Sequence, residues 1–193
     1  LGTRQLVNTA SGALIDSGGL TLTLDSLRND GLLQISEALD VTARELNNQG
    51  QLLAGRTLAL NATSLINGGL MQGDERLTLD STSLDNSGQI RSLADGKVSA
   101  DSLLNTGKIT AQDLALSGNV LRNSGLWQGN QHLGVTAGQL TQSASGQTLS
   151  GGMLELSSHT LTTDGTLQGA QVSVTAQSWQ HLGTAIGSAG ISA

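Results

Sequence analysis

The sequence predicts an all-β chain: a right-handed parallel β-helix, or solenoid, of about ten turns with roughly 19 residues in each turn. Three observations carry this. The phrase Leu-x-Asn-x-Gly-x-aliphatic returns at a fixed spacing, as Leu46/Asn48/Gly50/Leu52, Leu65/Asn67/Gly69/Met71 and Leu84/Asn86/Gly88/Ile90. A second phrase, aliphatic-x-aliphatic-x-small, runs between the copies, as in Leu58/Leu60/Ala62 and Leu77/Leu79/Ser81. The composition has 26 Gly and two Trp but no Phe, Tyr, Pro or Cys. Large globular cores lean on aromatic burial, whereas Leu, Ile, Val and Ala alone suit a thin, regular cross-section.

Followed along the chain, the Asn position is Asn8, Asn29, Asn48, Asn67, Asn86, Asn105 and Asn123, then Gln142, Thr163 and His181. The Gly two residues later is Gly31, Gly50, Gly69, Gly88, Gly107, Gly125, Gly165 and Gly183, with Ala10 and Ala144 in the remaining two registers. Those two registers run about two residues long and share Ala-Ser-Gly, so the extra residues belong in a turn, where insertion costs little. Asn29/Gly31, Asn48/Gly50, Asn67/Gly69, Asn86/Gly88, Asn105/Gly107 and Asn123/Gly125 are read as the structural corners. Gly is expected there for a positive φ, and the Asn amides for a ladder from turn to turn.

The second phrase continues as Leu39/Val41/Ala43, Leu114/Leu116/Gly118, Leu133/Val135/Ala137, Leu154/Leu156/Ser158 and Val172/Val174/Ala176. In one copy Gly96 replaces the first aliphatic, ahead of Val98 and Ala100. Apolar–polar alternation at period two means strands, so each unit is two or three short strands joined by tight turns. One unit buries too little to fold alone. Stacked units pair each strand with its counterpart at roughly 4.8 Å, giving a rod on the order of 45 Å long. Parallel crossovers set the expected hand. A leucine-rich repeat would need Leu-x-Leu-x-x-Asn, and the calcium-binding nonapeptide Gly-Gly-x-Gly-x-Asp is missing.

Residues 1–193 read as a single repeat region, starting and stopping in mid-pattern like an excerpt of a longer protein. The net charge is −6, and no basic residue follows Arg122, so the basic footprint of a nucleic-acid binder is missing. No apolar run has membrane-spanning length, and stable membrane insertion is not expected. The lack of Cys removes disulfides and thiolate metal sites.

The repeats resemble the haemagglutinin repeat of filamentous haemagglutinin and of the related contact-dependent growth inhibition exoproteins, the secreted partners of bacterial two-partner secretion. The resemblance rests on the Leu-x-Asn-x-Gly-x-aliphatic phrases from Leu27 to Leu167 with the strand phrase between them. It implies a β-helical shaft that is exported through an outer-membrane two-partner-secretion transporter. That shaft is then secreted or held at the surface of a Gram-negative cell, with receptor-binding and toxin regions elsewhere in the chain.

Little in the sequence suggests chemistry. His132, His159 and His181 share no metal-ligand spacing. Asp74-Glu75 is the only adjacent acidic pair, and the corresponding turns do not accumulate charge, so it reads as a solvated turn. Trp127 and Trp179 occupy aliphatic slots and read as core. Gln34, Gln72, Gln128 and Gln168, three residues after the corner Gly, form an outward polar stripe interrupted by Leu53, Arg91 and Thr110. The expectation is a stalk segment with no catalytic, cofactor or metal residue and no cofactor. The alternatives are a receptor- or glycan-binding face on the same β-helix, or a polysaccharide-active enzyme with clustered carboxylates.

Overall fold

The computed structural model describes residues 4–193 and is all-β, with 18 strands in one continuous sheet. Every pairing is parallel, and each strand lies beside its counterpart one turn away in sequence. Leu39 pairs with Leu58, Leu58 with Leu77 and Leu77 with Gly96, a constant offset of 19 residues. The solenoid expected from the repeat is therefore present, with the predicted period and about ten turns.

Each turn has three faces. In the turn that starts at Leu39, face A is Leu39–Ala43, face B is Glu45–Asn48 and face C is Gln51–Ala54. Faces A and B belong to one strand that bends at Arg44, which is skipped in the pairing register. A two-residue bend, Gln49-Gly50, separates B from C.

Alternation puts one set of side chains inward on every face. Leu58, Leu60, Ala62, Leu65 and Met71 are all buried, and each stacks on its equivalent above and below. Burial of one such aliphatic stabilises by roughly 1.5–3 kcal/mol. Ordering the backbone costs roughly 1–2 kcal/mol per residue, so a turn depends on its neighbours' surface.

Where the pattern changes, its neighbours compensate. Trp127 is fully buried in the column of Ile90 and Ile109, and Gly129 follows it in the next inward slot, where Ala111 stood one turn earlier. The exception at Gly96 has the same origin. A Cβ there would lie 2.8 Å from the Ala111 Cβ and 3.2 Å from Leu114 Cδ1, so these two side chains fill the volume a leucine would have taken.

The two long registers place their extra residues in turns closed by Gly12 N–H donating to Thr9 O (2.7 Å) and Gly146 N–H donating to Ser143 O (2.9 Å). The stacked glycine carbonyl is not lost there. Gly12 O accepts from Leu32 N and Gly146 O accepts from Thr166 N, as Gly31 O accepts from Gln51 N. Ala10 and Ala144 are residues of the inserted turn, and they do not replace the glycine.

Candidate functional site

The most ordered polar feature is the seam between faces B and C. Asn29, Asn48, Asn67, Asn86 and Asn105 end their strands with side chains fully buried. Burial of an amide is costly unless its hydrogen bonds are made. Here each Nδ2 donates to the Oδ1 of the next Asn: Asn8 to Asn29 at 2.7 Å, then at 2.7–2.8 Å through Asn48, Asn67, Asn86 and Asn105 to Asn123. The second amide hydrogen reaches a backbone carbonyl at the start of face C of the next turn, for example from Asn48 to Leu70 O at 3.1 Å and from Asn67 to Gln89 O at 3.1 Å. The ladder therefore fastens face C to the corner that leads into it.

The glycines beside the ladder do a different job from the one their spacing suggests. Gly190 is the only glycine with positive φ among the described residues, so Gly31, Gly50, Gly69, Gly88, Gly107 and Gly125 do not supply a left-handed turn. Close stacking explains them. A Cβ on Gly50 would run into Gly31 O, one on Gly69 into Gly50 O, and so on through Gly125 against Gly107 O. Any side chain here would push adjacent turns apart.

The ladder ends at Asn123, and the next turn rebuilds the seam. Gln142, one methylene longer than Asn, is also buried. Its Nε2 donates to Gly146 O and Thr166 O, both at 2.9 Å, and its Oε1 accepts from the Thr148 hydroxyl. Thr148 stands where the other turns have Leu52, Met71 or Ile90, so two departures from the repeat form one compensated pair. In the last turns Trp179 Nε1 donates to Thr163 Oγ1 at 3.0 Å, and His181 Nδ1 lies 2.8 Å from the same hydroxyl.

The outer surface carries scattered charge. Arg56 bridges Glu37 (3.2 Å) and Glu75 (3.3 Å) on the turns below and above, all exposed. Its hydrogen bond to Glu37, then that to Glu75, raises the guanidinium pKa above its ordinary value. Asp74 accepts from Gln72 at 2.7 Å. The Asp74-Glu75 turn is thus tied to its neighbours by side-chain hydrogen bonds. His132 pairs with Glu155 at 3.2 Å on face A, His159 is exposed beside the A–B bend, and His181 lies in the seam, so the three histidines are apart. Gln34 and Gln168 are exposed, and Gln72 and Gln128 half-buried, on face C.

A depression of 480 Å³ lies on face A. Gly96 and Ala115 lie among its lining, together with Arg76, Asp95, Lys97 and Asp113, with His132 at one end. Arg76 and Asp95 approach at 3.7 Å. Repeat reading missed this groove because it depends on which residues of four successive turns lie side by side. The depression mixes both signs and sets hydrogen-bond donors and acceptors beside the apolar side chains of Leu77 and Leu114. No group of three or more His, Cys, Asp or Glu side chains among the described residues is placed to hold a metal ion.

Comparison with known proteins agrees with this architecture. Residues 2–72 match the family model described as Haemagglutinin repeat. The chain is 38% identical over 96 residues to the 16S rRNA endonuclease CdiA of Enterobacter cloacae, a stretch covering 49% of this chain and 3% of the relative. It is 33% identical over 96 residues to the tRNA nuclease CdiA of an Escherichia coli strain (50% and 3%), and 32% identical over 93 residues to the tRNA nuclease CdiA of Yersinia mollaretii (48% and 3%). The chain thus spans about 3% of the length of the curated relatives it matches. No solved structure matches.

Proposed function

Starting from a CdiA-like chain of haemagglutinin repeats, we propose that these residues are a length of rigid stalk in a large exoprotein, and that their work is reach and spacing. The parallel pairing, continued through both insertions, every seam substitution and the register shifts at Ala111/Asp113 and Gly169/Gln171, is the observation that carries this reading. Such a rod grows by adding one turn to the last, since each turn needs only its neighbour. A chain delivered unfolded through an outer-membrane transporter would fold turn by turn outside, and each added turn would disfavour its return. On this reading the segment stands outside a Gram-negative cell and holds receptor-binding or toxin regions at a distance. The asparagines and glycines of the seam are its structural residues, and residues 1–193 are a single repeat region of the longer chain. A catalytic role finds no support in the surface, where carboxylates lie on every face and in the turns between them.

A second reading, an adhesion module, draws on the face A groove, whose mixed lining would suit a receptor or a glycan. The two separate in the displayed full-length protein carrying Lys97→Ser, Asp113→Ser and His132→Ser. A spacer keeps target-cell attachment at the parent level, whereas attachment lost with the fold intact would assign binding to the groove and overturn the pure stalk reading.

A further inference from the structure

Face C differs from the rest of the surface. Its outward side chains form two columns. One reads Leu32, Gln51, Leu70, Gln89, Lys108, Leu126 and Gln147. The other, two residues further along each strand, reads Gln34, Leu53, Gln72, Arg91, Thr110, Gln128 and Leu149. Leucine and glutamine alternate both along and across the face, with the aliphatics half-buried. The only charges in these two columns are Arg91 and Lys108, on adjacent turns in the middle and far from Asp16 in the first turn of the face, and neither has an ion-pair partner among the described residues. Two unpaired cations at the centre of a flat face, in a chain of net charge −6, call for a partner that is acidic at its centre. A two-fold contact through the middle of face C would oppose cation to cation.

This chain carries the complement on face B. The outward column there reads Arg28, Asn47, Ile66, Asp85, Leu104 and Arg122 on successive turns, with Ile66, Asp85 and Leu104 in the middle between the two arginines. Both aliphatics are exposed, at 43% and 40%, and Asp85 between them is exposed and has no ion-pair partner among the described residues. The second outward column beside them is Ser64, Ser83 and Ser102, small enough to leave the three standing clear. Asp85 and Arg91 belong to the same turn, so they lie at the same height on adjacent faces.

We propose that face C of one copy docks on face B of a second copy, side by side with axes parallel and turns in register. Arg91 and Lys108 then meet Asp85, and the half-buried leucines cover Ile66 and Leu104. The contact is heterologous and does not close, so it extends to lateral bundles. A face of four residues by ten turns measures roughly 13 by 43 Å, so a pair buries on the order of 1,100 Å². That is the low end for a specific interface and suits a reversible contact strengthened along a long rod.

Sedimentation velocity of the 193-residue chain tests this. At low ionic strength the parent should form concentration-dependent dimers and larger species that disperse at about 0.5 M salt. The double variant Arg91→Glu/Lys108→Glu and the single variant Asp85→Lys should each remain monomeric, with unchanged circular dichroism. Mixed together they should associate again, because Asp85 of the first meets Arg91 and Lys108 of the second, and the two reversed faces complement each other in turn. A parent that stays monomeric would overturn the proposal, whether or not it binds polyglutamate through Arg91 and Lys108. So would variants that still associate, since contact through the open strand edges of the rod ends ignores these charges.

Discussion

At the scale of single residues, the seam separates two demands that a spacing pattern merges. Asn67 is held by chemistry: it accepts from Asn48 and donates to Asn86 and to Gln89 O, with no exposure to water. Asn67→Ala would strip a buried acceptor of its donor and leave a void, a loss of about 2–4 kcal/mol. Urea denaturation would read it as a lowered midpoint, while Ser64→Ala, on the outward side of the same strand, should change stability by less than about 0.5 kcal/mol. Gly69 is held by space. Gly69→Ala drives a methyl group into Gly50 O and should cost at least about 2 kcal/mol. Gly134→Ala, whose Cβ meets only the movable His132 ring at 3.3 Å, should melt within a degree or two of the parent. The glycine positions were readable from the sequence, but their reason was not. A positive φ is a property of one turn, whereas the obstruction comes from the turn stacked next to it.

At the scale of the element, the two turns from Asn123 to Thr163 show how the repeat absorbs change. Gln142 in an Asn slot and Thr148 in an aliphatic slot look like separate lapses until the hydrogen bond between them is seen. Thr148→Val should destabilise by about 1–3 kcal/mol, because the buried Gln142 Oε1 loses its donor. Gln142→Asn combined with Thr148→Val should recover most of that loss, since a shorter amide is in reach of Asn123 and valine suits the core. A double-mutant cycle in guanidinium chloride should give a coupling of at least about 1 kcal/mol, and additive effects would show that the pair acts independently. The signal was available in the sequence, as two polar substitutions six residues apart in one turn. Recognising it required knowing that both slots face the same interior. The His132–Glu155 pair was hidden differently. Its 23-residue separation combines one repeat, the insertion at 143–146 and a diagonal step across the sheet.

At the scale of the whole molecule, the period, the inward columns and the ten-register count were legible because each residue's role depends on its place in the repeat. The glutamine column of face C was legible too, but the column beside it and the groove on face A were not, because each is a property of which residues lie side by side across many turns. The same logic gives the account its most direct test. Residues 58–76 are one complete period, and their removal would set Leu39 beside Leu77 and Asn48 beside Asn86, restoring both the core columns and the ladder. Small-angle scattering on that deletion, beside one lacking only residues 58–66, measures rod length and folding together. If each period is an interchangeable turn, the full-period deletion stays folded, with unchanged strand signal per residue, and shortens by about 4.8 Å, while the partial deletion loses folded structure. A full-period deletion that unfolds, or keeps the parent length, would contradict the stalk.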